Sequence, residues 1–98
     1  MALKAPTSAP VASIRDAMLA AHVAKVDEAA AKGVQVICFQ EVFNQPYFCP
    51  VNDPKWFEAA EPLDGPTISA LRPLAARHKM VIVAPIYELE AMLANGEL

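Results

Sequence analysis

The feature that most constrains this chain is an apolar run, Val34-Gln35-Val36-Ile37-Cys38-Phe39, set between a glycine and a proline-rich loop. Gly33 precedes it. Gln40-Glu41-Val42-Phe43-Asn44-Gln45 follows, and Pro46, Pro50 and Pro54 exclude regular structure beyond that point, apart from a short turn of helix. The run starts with alternation and becomes continuously apolar, the pattern of a strand covered on both faces. Met80 to Tyr87 reads as a second strand.

Helical signals surround these runs. Ser13 and Asp16 form a capping-box-like pair, and Leu19, Val23, Val26 and Ala30 recur as one apolar stripe. Glu28 and Lys32 fall on the opposite face, Lys32 suits the negative end of the helix dipole, and Gly33 supplies a left-handed stop. This predicts a helix over about residues 14–32. Asp53 can cap a short turn that Pro54 opens, leaving Trp56 and Phe57 as packing groups. Asp64-Gly65-Pro66 is a turn signal. A second helix ends near Lys79, with Leu71, Leu74 and Ala75 toward the core. Mid-helix proline costs ~3 kcal/mol, so a start near Ser69 is expected, which keeps Pro73 close to the first turn.

Helix, strand, loop, helix, strand in that order implies parallel strands joined by a crossover, an α/β layered fold. Residues 1–12 carry two prolines and no periodicity and are expected to be a flexible lead-in; 13–98 is the domain. Two strands rarely make a stable sheet alone, and Ala94-Asn95-Gly96 is a turn where a third strand is expected to start. The organisation reads as part of a larger domain.

Composition excludes several classes. Eight basic and eleven acidic residues, net −3, leave no footprint for nucleic acid, and no basic amphipathic face suggests a membrane surface. The N-terminus lacks the apolar core of a signal peptide, and the longest apolar stretch is far below the ~20 residues of a membrane span. Cys38 and Cys49 allow one bridge, but without a secretory signal free thiols in a reducing cytoplasm are expected. Zinc sites show ligand pairs two to five residues apart, and Cys38, Cys49, His22 and His78 contain none. No motif ties Cys49 to His78 as a nucleophile and base.

Glu41 is the candidate for chemistry. It ends the first strand, where ligands gather in open α/β sheets, and burial beside Phe39, Phe43 and Tyr47 would raise its pKa toward the range of a general base. From spacing alone, a solvated or salt-bridged loop glutamate is the commoner role for such a residue.

Gln40-Glu41-Val42-Phe43 with Pro46-Tyr47-Phe48-Cys49, then Glu61-Pro62-Leu63-Asp64-Gly65-Pro66-Thr67, and Val81-Ile82-Val83-Ala84-Pro85-Ile86-Tyr87-Glu88, together resemble the nitrilase superfamily of carbon–nitrogen hydrolases. So does the helix end Ala31-Lys32-Gly33. The likeness covers roughly residues 10–90 and is greatest to the N-carbamoyl amide hydrolases, among them β-ureidopropionases and then N-carbamoylputrescine amidases. The resemblance implies the first part of a four-layer α-β-β-α sandwich, with Glu41 as general base and Tyr47 and Phe48 lining the substrate entrance. It also implies hydrolysis of a small N-carbamoyl amide without metal or cofactor, by a glutamate, a lysine and a cysteine, in a homo-oligomer. The lysine and cysteine of that pattern have no counterpart in these 98 residues, and the strand that precedes the family's first helix is replaced by Ala5-Pro6-Thr7-Ser8-Ala9-Pro10. The chain is therefore expected to be a truncated and inactive piece of such an enzyme, or else a non-enzymatic remnant that folds against a partner through its exposed sheet edge.

Overall fold

In the computed structural model, which describes residues 3–46 and 53–87, two helices lie against one face of a two-stranded parallel sheet. The first helix, α1, spans Val11–Ala31. It starts three residues earlier than the Ser13–Asp16 pair suggests, because the Pro10 carbonyl accepts from Ser13 N at 3.0 Å and Ile14 N at 3.1 Å. Proline fits that flank, since it has no N–H to leave unpaired. Val11, Ile14, Met18, His22 and Val26 form the buried stripe. Leu19 and Val23 flank it, half-buried. Gly33 ends the helix as expected, at φ +81°.

Strand β1 is Val36–Cys38 and β2 is Val81–Val83, paired in parallel with Val36 opposite Val81, Ile37 opposite Ile82 and Cys38 opposite Val83. Helix α2, Pro66–His78, lies on the crossover between them. The α/β reading holds, with strands shorter than expected. The expected two-sided cover does not: Ile37 and Ile82 face the helices, whereas Val36, Val81 and Val83 are 61%, 59% and 45% exposed. Cys38, in the run read as covered on both faces, is an exposed free thiol for the same reason. Among the described residues no layer covers that face.

Helix α2 begins at Pro66, not near Ser69, which leaves Pro73 in mid-helix on the exposed side. Pro66 suits the first position of a helix, and the cap described below anchors that start. Leu71 and Leu74 are buried as expected. With Val26, Phe39, Phe43 and Met80 they form the main core between helices and sheet.

A second cluster gathers Val11, Ile14, Met18, Trp56 and Ala59 where the 3₁₀ helix Pro54–Ala59 meets α1. Asp53 caps that helix through Lys55 N at 3.0 Å, as the sequence suggests. Trp56 packs, but Phe57 points away and is 71% exposed, because a turn this short buries only one side. Lys55 Nζ donates to Thr7 O at 2.6 Å and Ala9 O at 3.0 Å, and Leu3, Ala5 and Ala9 pack against the same cluster.

Candidate active site

The sheet ladder closes with Phe39 N donating to Val83 O at 3.0 Å, and the chain then enters a turn over residues 41–45. Gln40 and Glu41 are exposed, whereas Val42, Phe43, Asn44 and Gln45 are buried. Val42 sits at φ +50°, and Gln45 N donates to Val42 O at 3.2 Å. A β-branched residue in the left-handed region is a genuine outlier, and strain of this kind clusters at functional sites.

Three anchors hold the turn. Phe43 packs 4.6 Å from Phe39, ring centre to centre, and His22 meets both rings edge-to-face with centres 4.8–4.9 Å apart. His22 Nδ1 lies 2.7 Å from Met18 O, so this histidine is a packing group. Gln45 Nε2 donates to Val11 O at 3.2 Å, while its Oε1 is buried with no hydrogen-bond partner. Asn44 Nδ2 donates to Glu61 Oε2 at 2.8 Å and to Thr67 Oγ1 at 2.9 Å.

Glu61 is the residue that sequence reasoning missed. Its side chain is buried, and it accepts from Thr67 N through Oε1 at 2.8 Å and from Thr67 Oγ1 through Oε2 at 2.7 Å. Thr67 N is one of the orphan donors in the first turn of α2, so a carboxylate from outside the helix supplies the cap that Gly65 has no side chain to make. Glu61 N donates to Tyr87 O at 2.8 Å, tying the same residue to the segment after β2. The only signal available in sequence was an acidic residue shortly before a Gly-Pro-Thr helix start.

Glu41 thus stands at the carboxyl end of β1, as expected, but exposed. The expected burial beside Phe39 and Phe43 is not seen because Val42 turns the chain so that both rings pack against His22. Tyr47, Phe48 and Cys49 lie outside the described residues. His78 is engaged with Asp27 of α1, its Nε2 2.8 Å from Asp27 Oδ1. No group of three or more His, Cys, Asp or Glu that could hold a metal occurs among the described residues, and no described helix is long and apolar enough to cross a membrane. An open groove lined by Ile68, Leu71, Arg72, Ala75, Ile82 and Ala84 does not include Glu41.

Residues 4–98 match the model of the carbon-nitrogen hydrolase family. A β-ureidopropionase of Arabidopsis thaliana is 34% identical over 93 residues, covering 95% of this chain and 22% of the relative. A nitrilase of Paraburkholderia phymatum is 40% identical over 86 residues, covering 76% of this chain and 25% of that protein. The chain spans about a quarter of the length of these curated relatives or less.

Proposed function

Since the chain belongs to the carbon–nitrogen hydrolase family, we propose that it is the N-terminal segment of a hydrolase that cleaves N-carbamoyl amides, with Glu41 as its general base. One observation carries this reading: Glu41 projects into solvent from the carboxyl end of a parallel strand, on a turn that is strained and anchored on three sides. That is where an α/β sheet presents catalytic groups. N-carbamoyl-β-alanine is the proposed substrate, on the likeness to the plant β-ureidopropionase.

In this reading a cysteine thiolate attacks the carbamoyl carbon, a lysine stabilises the oxyanion, and Glu41 takes and returns the protons. Cysteine and lysine belong to a part of the enzyme outside these 98 residues, so the chain by itself is inactive. Tyr47 and Phe48 border the substrate entrance. No metal or cofactor takes part, and the complete enzyme works in the cytoplasm as a homo-oligomer.

The one-sided sheet supports a layered domain. The face of Val36, Val81 and Val83 is apolar and open, as the inner face of a four-layer α-β-β-α sandwich must be before its second sheet is added. The test is ammonia release from N-carbamoyl-β-alanine by the complete hydrolase polypeptide and its Glu41→Gln variant. The variant is expected to keep its far-ultraviolet dichroism and lose turnover by about 10²–10⁴-fold, the contribution of a general base. Near-unchanged turnover would remove Glu41 from the mechanism.

A further inference from the structure

We propose that Glu61 is a positioning residue for Glu41, acting through Asn44; the inference rests on the reading of Glu41 as general base. A helix cap for α2 accounts for only half of what Glu61 does. Its Oε1 accepts from Thr67 N, which is the cap. Its Oε2 accepts from Asn44 Nδ2 at 2.8 Å, and Asn44 belongs to a different element, the turn that begins at Glu41. An exposed acidic side chain would cap the helix as well, without the cost of burying a carboxylate.

The arrangement leaves Asn44 little freedom. Its two Nδ2 hydrogens go to Glu61 Oε2 and Thr67 Oγ1, and the Thr67 hydroxyl passes its own hydrogen to Glu61 Oε2, closing a three-membered ring of bonds. All three residues are buried, Asn44 at 1% exposure, Glu61 at 4% and Thr67 at 0%. Asn44 lies two residues past Val42, whose positive φ an unanchored turn would relax. The ring therefore holds the backbone that aims Glu41, and Glu61 N bonded to Tyr87 O ties that turn to the segment that follows β2. Any substrate bound across the carboxyl ends of the two strands meets Glu41 at a position fixed by Glu61.

The experiment measures kcat and KM for N-carbamoyl-β-alanine hydrolysis by the complete hydrolase polypeptide. It compares the wild type with Glu41→Gln, with Glu61→Gln, and with the exchange Asn44→Asp/Glu61→Gln. Glu61→Gln sets an amide donor against the Asn44 donor. The exchange restores an acceptor at 44 and a donor at 61, while the introduced amide oxygen still receives Thr67 N. Positioning predicts that folded Glu61→Gln loses kcat by about 10–100-fold with KM nearly unchanged, and that the exchange recovers kcat to within about tenfold of wild type.

A folded Glu61→Gln with kcat within about twofold of wild type overturns the proposal. Should that variant not fold, the exchange decides: kcat within about tenfold of wild type supports positioning, while a larger deficit or a second failure to fold overturns it. Glu41→Gln separates the two readings. If it retains turnover, the general base falls and positioning with it. If it is dead while Glu61→Gln is unimpaired, only the positioning role is lost.

Discussion

At the scale of single residues, the turn over 41–45 stores strain and surrounding contacts hold it. Val42 in the left-handed region costs about 1–2 kcal/mol, and it persists because Phe43, Asn44 and Gln45 are each committed elsewhere. Gly65 works differently. Its φ of −72° is ordinary, but a Cβ there would meet Pro62 O at 3.0 Å and Glu61 Cβ at 3.2 Å. A side chain at 65 would push the segment that carries Glu61. Gly65→Ala is therefore expected to lower stability by about 1–3 kcal/mol, the usual cost of overpacking, read from urea unfolding midpoints at constant slope. An unchanged midpoint would mean that Pro62 moves freely. Little of this was legible beforehand. The Gln40-Glu41 position could be singled out, but Glu61 has no short-range pattern, because its meaning comes from Asn44, seventeen positions away.

At the scale of elements, α1 and α2 are joined at their exposed ends by a small charge cluster. Asp27 Oδ1 accepts from Arg77 Nη2 at 3.1 Å and lies 2.8 Å from His78 Nε2. The His78 hydrogen bond, with the nearby charges of Arg77 and His78, holds the Asp27 carboxyl below its ordinary 3.8. A carboxyl with a lowered folded-state pKa adds stability above its unfolded value, and that stability is lost as pH falls through the folded value. The stability gap between wild type and Asp27→Asn should thus be present above the ordinary value of 3.8 and shrink as pH falls below it. It should also shrink in high salt, because the pair is exposed and screened. A gap independent of pH, in urea titrations across that range, would show that ionisation of Asp27 does nothing for the fold.

The same elements show why sequence reading stopped where it did. Gly33, Asp53 and the leucines of α2 carry local signals, and these read correctly. The starts of α1 and α2 did not read correctly. The first is set locally by the Pro10 carbonyl and packed by Trp56 and Ala59 against Val11 and Ile14, and the second is set by Glu61 at Thr67, six positions before it. Pro73 looked like a helix limit, yet tertiary anchoring of the N-terminus outweighs its local cost.

At the scale of the whole molecule, the sheet is covered on one side only. Val36, Val81 and Val83 form a contiguous apolar face of the kind that drives association. The 98-residue chain is expected to self-associate in solution, and Val36→Thr with Val81→Thr should raise the concentration at which it stays monomeric, seen by light scattering after gel filtration. If a second sheet covers this face in the complete hydrolase, as proposed, the same pair should instead lower stability by about 1–3 kcal/mol, because each buried hydroxyl then needs a partner. Stability unaffected in the complete enzyme would argue against a second sheet on this face.

The parallel pairing of β1 and β2 also bears on how the chain reaches its native state. Val36 and Val81 meet across about 45 residues, and the length-dependent entropy of closing such a loop is about 3 kcal/mol. Two three-residue strands return little against that. Docking of α1 on α2 shortens the effective loop, so the strands are expected to be late partners of a helical nucleus. Truncating Val26, Leu71 or Leu74 is therefore expected to slow refolding in stopped-flow measurements, while changes at Val36 or Val81 mainly speed unfolding, the sheet that displays Glu41 being assembled last.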